Sequence, residues 1–196
     1  MSPRNQELLQ LLKDFAYREG TFKLSSGGES DYYIDAKTVT QHPRGMELIA
    51  ESILEILQRY NVQAVGGPIL GAVPIATAVA MLSGQRGSPL PAFFVRKTPK
   101  LHGLQKWIEG PVLSDGATVA IVDDVITSGQ SVIEAVDHAR QEGYKVAVVI
   151  SLVDRESGGR KKIESRGIRY ENVFSISDLR SRSIGTTGNP QIPAHA

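Results

Sequence analysis

The chain has 196 residues, 41% hydrophobic and 22% charged, with a formal net charge of +1 and no cysteine. These figures describe one compact domain that buries roughly 70% of its unfolded surface. They exclude disorder, collagen, coiled coil, thiol nucleophiles, thiolate metal sites and disulfide frameworks. A charge so near zero gives no bulk attraction to nucleic acid or to an anionic membrane, so any anion must be held by a local cluster.

The first 17 residues place Arg4, Glu7, Lys13 and Asp14 among their apolar positions. That mixture lacks the apolar centre of a signal peptide and, with the absence of cysteine, sets the expectation of a cytoplasmic protein. Leu8, Leu9, Leu11, Leu12, Phe15 and Ala16 recur at helical spacing with Gly20 as a stop, which predicts a helix over 5–18. A turn at 25–28 then leads to a strand in which Tyr32, Ile34 and Ala36 alternate with polar neighbours. Pro43 opens a second amphipathic helix that carries Met46, Ile49, Ala50, Ile53, Leu54 and Leu57 and runs to about Tyr60.

From there the pattern becomes short apolar strands separated by helices: strands at 64–67, 92–96, 119–123 and 146–153, helices at 72–82 and 128–142. The longest mainly apolar run, 68–82, contains Pro74 and is shorter than the roughly 20 residues that span a bilayer, so it reads as a buried helix. The runs 119–122 and 146–150 are continuously apolar, as central strands buried on both faces are. A helix over 156–167, a last strand over 170–175 and a loose tail over 185–196 complete the chain. The alternation predicts an α/β domain over 1–184 whose mainly parallel central sheet is flanked by helices.

In an open parallel sheet, ligands bind beyond the carboxyl ends of the strands. One strand there leads into Asp123-Asp124-Val125-Ile126-Thr127-Ser128-Gly129-Gln130-Ser131. The N–H groups at a helix start, with the hydroxyls of Thr127, Ser128 and Ser131, would cradle a phosphate. Two carboxylates beside that cradle would repel the phosphate itself and suit sugar hydroxyls or a magnesium ion, so a phosphorylated sugar fits both halves. The alternative is a helix capped by Asp124 or Thr127 without a ligand. A second exit, Arg96-Lys97-Thr98-Pro99-Lys100-Leu101-His102-Gly103, gathers cations and an imidazole between Pro99 and Gly103, which suits either a cationic lid for a diphosphate or a solvated hairpin. A third, Asp154-Arg155, offers a guanidinium that can grip a planar carboxylate with two hydrogen bonds, or pair with Glu156 at the surface. The fourth, Gly66-Gly67-Pro68-Ile69-Leu70-Gly71, would let backbone approach an anion, or serves tight packing. His42, His138 and His195 show no ligand spacing, and Trp107 with Lys106 falls in the second exit's loop.

The string 123–131 resembles the signature of the type I phosphoribosyltransferases, which bind phosphoribosyl pyrophosphate through it. Arg-Lys-x-x-Lys-x-His-Gly at 96–103 is similar to the catalytic loop of the orotate phosphoribosyltransferases, and the resemblance extends over about 15–180, including the segment 30–35 and Val153-Asp154-Arg155. It implies the type I fold with a small N-terminal hood, and transfer of ribosyl phosphate to orotate in pyrimidine synthesis, with magnesium. Residues 123–131 would bind the phosphoribosyl pyrophosphate, with Asp123 and Asp124 near the reacting sugar. Arg96, Lys97, Lys100 and His102 would contact the diphosphate across the interface of a homodimer, Lys100 and His102 with catalytic parts. Thr127 and Arg155 would hold orotate, whose ring proton would go to His102 or to a phosphate oxygen. Magnesium would be held mainly by the substrate, near Asp123 and Asp124. Ser25 and Ile69-Leu70 depart from relatives that carry lysine in those places. Two other readings are a phosphoribosyltransferase for another base, and a regulator that senses phosphoribosyl pyrophosphate and binds nucleic acid; the net charge and single-domain length offer the regulator no basic face.

Overall fold

The computed structural model describes residues 1–23, 28–99 and 107–181. The chain opens with α1 (Pro3–Leu11), started by Ser2, whose hydroxyl accepts from the Asn5 N–H, and by Pro3 at a position that needs no N–H donor. The expected helix over 5–18 begins earlier and finishes as a π-helical turn, Leu12–Ala16. Gly20 does not stop it. It lies inside β1 (Tyr17–Lys23), which pairs antiparallel with β2 (Glu29–Ile34) as a separate two-stranded hairpin. That hairpin is the hood. Ala36 falls outside the strand and leads into a short α2 (Lys37–Thr40), followed by α3 (Pro43–Leu57), which ends before Tyr60.

The remaining strands form one sheet. In chain order they are β3 (Ala64–Pro68), β4 (Ala92–Val95), β5 (Ile108–Glu109), β6 (Thr118–Ile126), β7 (Lys145–Asp154) and β8 (Tyr170–Ser175). Their spatial order is β5-β4-β3-β6-β7-β8, parallel except for the short edge strand β5. The helices α4 (Ala72–Gln85), α5 (Gln130–Gln141), α6 (Gly159–Glu164) and α7 (Ile176–Arg180) connect or follow them. The helix expected over 156–167 shrinks to α6 because Gly158, at φ +91°, and Gly167, at φ +71°, bracket it.

Side chains of adjacent strand residues point to opposite faces, so β6 feeds two cores. Ala120 and Val122 pack with α1, α3 and α4 on one side, while Val119 and Ile121 pack with Val132, Ile133 and Val136 of α5 on the other. The strand order reverses between β3 and β6. The carboxyl ends of β3, β4, β6 and β7 therefore open around a single crevice, the place where an open α/β sheet binds ligands. Among the described residues, no helix is long and apolar enough to cross a membrane. The tail expected over 185–196 lies outside the described residues.

Candidate active site

Asp123 and Asp124 do not close β6 as expected; the ladder to β7 continues past them through Val125↔Val153 and Ile126↔Asp154. They are only 8% and 9% exposed. Each carboxylate is steadied by the next N–H along the strand: Asp124 N donates to Asp123 Oδ1 at 3.0 Å and Val125 N to Asp124 Oδ1 at 2.7 Å. Burial, and after it repulsion from Asp124, hold the Asp123 carboxyl well above the ordinary carboxylate range. Gly71, after β3, faces both acids: a Cβ there would stand 2.4 Å from Asp123 Oδ1 and 2.5 Å from Asp124 Oδ1. The Gly-rich exit thus forms a floor under the acid pair, joined by the cis peptide between Ile69 and Leu70. Gly66 and Gly67 serve packing, since a Cβ on them would strike the Phe93 and Val122 carbonyls at 2.2 and 2.1 Å.

Beyond Ile126 the chain turns through Thr127, Ser128 and Gly129 into α5, with Gly129 left-handed at φ +74°. The turn and the first residues of α5 surround a recess of about 120 Å³ lined by Asp123 and 125–132. Thr127, Ser128, Gln130 and Ser131 are exposed around it. Apart from Asp124, the sequence-predicted string therefore lines one recess, with the Asp123 carboxyl at one end and a polar rim that suits a phosphate.

Arg155 leaves β7 beside Thr127, because its N–H donates to the Ile126 carbonyl at 2.9 Å. Its Nε donates to the Tyr32 hydroxyl at 3.0 Å, and its guanidinium lies over the Tyr32 ring, 4.7 Å from the centroid. The surface pair with Glu156 does not form; Glu156 accepts from Ser177 instead. Arg180 at the end of α7 also lies 4.7 Å from the Tyr32 centroid and pairs with Asp31 at 2.5 Å. The hairpin and the end of the sheet thus meet around one tyrosine.

Arg96 follows β4 and donates to Glu109 Oε1 at 3.1 Å, while Lys97 is exposed. Both line a recess of about 280 Å³ with Pro68, Ser131, Glu134 and His138. Trp107 stacks on His138, with centroids 3.8 Å apart and planes 13° apart. Lys100, His102 and Lys106, like Ser25, lie outside the described residues. A recess of about 450 Å³ between Asn5, Ser52, Arg59 and Asn172 contains none of these groups.

Sequence reasoning gave no role to Tyr32, Arg180, Asp35 or Lys37. Lys37 Nζ stands 3.0 Å from Asp35 Oδ1 and 3.8 Å from Asp124 Oδ2. The hydrogen bond to Asp35 is the main reason its ammonium is held above the usual lysine range. Only the segment 30–35 had been marked, by resemblance.

Comparison with known proteins defines the class first. Residues 35–178 match the phosphoribosyl transferase domain family, and the chain belongs to that family, with the type I fold. An orotate phosphoribosyltransferase of Nostoc sp. is 48% identical over 182 residues, covering 93% of this chain and 88% of that protein. The crystal structure of the Mycobacterium tuberculosis orotate phosphoribosyltransferase with Fe(III) dicitrate superposes with a TM-score of 0.81 at 38% identity, over 91% of this chain and 99% of that one. The same enzyme in complex with phosphoribosyl pyrophosphate gives a TM-score of 0.77 at 35% identity, over 90% and 99%. Within its family the chain is an orotate phosphoribosyltransferase, and the readings as an enzyme for another base or as a regulator give way to this one.

Proposed function

We propose that the chain joins orotate to the ribosyl phosphate of phosphoribosyl pyrophosphate in the cytoplasm, as a step of pyrimidine synthesis, with magnesium and as a homodimer. The observation that carries the reading is the juxtaposition of the 123–131 surface with Arg155, which leaves the neighbouring strand at the level of Thr127. The cradle at 127–131 takes the 5-phosphate on N–H groups and hydroxyls. The acid pair faces the sugar, and Thr127 with Arg155 takes the base, the guanidinium on the orotate carboxylate.

As the bond to pyrophosphate breaks, positive charge grows on the sugar carbon and negative charge on the leaving group. Asp123 and Asp124 stabilise the first. Arg96, Lys97, Lys100 and His102 stabilise the second, from a segment that reaches the partner's site in the dimer. The proton of orotate goes to His102 or to a phosphate oxygen.

Hard carboxylate oxygens suit magnesium, and among the described residues no set of three or more metal-ligating side chains converges into a protein-only cage. That donor set fits a magnesium held mainly by the substrate's phosphates with Asp123 and Asp124 close by. When bound, the metal would neutralise charge on the departing diphosphate.

The test follows orotate absorbance after adding protein, phosphoribosyl pyrophosphate and magnesium, with adenine, guanine, xanthine and uracil in parallel. Loss of orotate alone, abolished by a chelator, supports the reading. Turnover of another base removes the role of Arg155. Light scattering at assay concentration checks the dimer, which a monomer mass would reject.

A further inference from the structure

Positive charge next to two buried carboxylic acids helps a polyanionic substrate come to rest beside them. Among the described residues, Lys37 is the lysine or arginine whose charge stands against this pair. Its ammonium lies 3.8 Å from Asp124 Oδ2, and its side chain is 46% exposed against 13% for that of Asp124. Arg96, by contrast, is engaged with Glu109.

Lys37 is also held in place. Asp35 Oδ1 accepts from the Lys37 N–H at 3.2 Å and from its ammonium at 3.0 Å, which fixes both ends of the residue. The short helix α2 that begins with Lys37 is tied down by Thr38, whose hydroxyl donates to the Phe15 carbonyl at 3.0 Å, and by buried Val39 and Ala36. The position of the cation therefore comes from the end of the hairpin, and its charge is directed at the sheet.

We propose that Lys37 is a positioning residue of the phosphoribosyl site: it holds the Asp124 carboxylate in place and offsets its charge, so that a polyanionic phosphoribosyl donor can settle beside it. Asp35 acts one step further out by orienting Lys37. The inference rests on the reading that phosphoribosyl pyrophosphate binds at residues 123–131.

The experiment titrates phosphoribosyl pyrophosphate, with magnesium, into the wild type, Lys37→Met, Lys37→Arg, Asp124→Asn and the double variant Lys37→Met/Asp124→Asn. KM for each substrate and kcat are measured wherever turnover remains. Lys37→Met is expected to weaken phosphoribosyl pyrophosphate about tenfold in both Kd and KM while the orotate KM moves less than about twofold. Lys37→Arg should regain most of the loss. In the Asp124→Asn background, where no charge is left to offset, Lys37→Met should change Kd by less than about twofold.

Unchanged affinity in Lys37→Met, or parallel losses for both substrates, would overturn the proposal. A tenfold loss that persists without the Asp124 charge would also overturn it, because Lys37 would then act on the substrate directly. Should Lys37→Met fail to fold, Lys37→Gln takes its place under the same criteria. A wild type that binds no phosphoribosyl pyrophosphate would instead defeat the functional reading beneath it.

Discussion

In the proposed reaction the 123–131 cradle and the Arg155 corner serve opposite ends of the chemistry, yet they are assembled in different ways. The cradle comes from a continuous stretch, 123–131, in which a strand, a turn and a helix start follow one another. The corner joins Arg155 to Tyr32 across 123 positions of sequence, and Arg180 reaches the same ring from α7. A phosphate needs N–H groups and hydroxyls that a single turn supplies. A flat carboxylated ring needs walls from several directions, which only tertiary packing brings together. The two parts should accordingly fail separately.

The sharpest separation is expected from Arg155→Ala, which should weaken orotate by about 2 to 5 kcal/mol, the range for truncating one member of a buried charge pair. Phosphoribosyl pyrophosphate binding, followed by calorimetry, should stay within about twofold of wild type by ordinary additivity. An unchanged orotate affinity would detach Arg155 from the corner. Gly71→Ala attacks the other part. Its methyl would displace the two carboxylates, and kcat/KM for phosphoribosyl pyrophosphate should fall on the order of 100-fold, as misplacements near 1 Å do. Normal turnover in a folded Gly71→Ala protein would mean that the acid pair plays no part in the reaction.

Asp123→Asn should slow turnover and at the same time stabilise the ligand-free protein. The folded-state pKa of Asp123 lies above its unfolded value, so the wild type is relatively most stable at acid pH, where this carboxyl is protonated in both states. It loses that stability as pH rises from the ordinary carboxylate range through the raised value. The advantage of the asparagine should therefore be absent near pH 4 and present above neutrality, about 1 to 2 kcal/mol. Melting curves should show it as a shift of roughly 2 to 4 °C per kcal/mol. A melting temperature lowered at every pH would contradict it. The smallest effect is expected from Tyr32→Phe, which keeps the ring under both guanidiniums but removes the acceptor of Arg155 Nε. It should cost orotate affinity about 1 kcal/mol, roughly fivefold, and a loss as large as that of Arg155→Ala would show that the ring is displaced as well.

The same contrast governs what the sequence discloses. Continuously apolar runs marked β6 and β7, helical spacing marked α1 and α3, and a contiguous motif marked the cradle, because each is written within a few neighbouring residues. The strand β1 escaped detection: Arg18, Glu19, Gly20 and Thr21 are all exposed in it, so a hairpin packed so lightly shows no alternation. At four and five residues, α2 and α7 are too short for a helical period to appear. The length of β6 was misread because acids in its interior imitate a strand end, when their chemistry, not the backbone, is what changes there. Lys37 carried no local mark at all. Its meaning lies in Asp124, which the fold brings to it.

The strand order also fixes when in the life of the chain this site can exist. The central strand β3 has one neighbour, β4, close behind it in sequence, with Val65 opposite Ala92. Its other neighbour is β6, with Ala64 opposite Val119. During synthesis the β3 edge must stay open until β6 has emerged, and an open apolar edge is a template for wrong pairing. When β6 closes it, the same step seats Asp123 and Asp124 over Gly71. Closing the sheet and bringing the acid pair over Gly71 are thus a single step, and a chain halted before β6 carries neither.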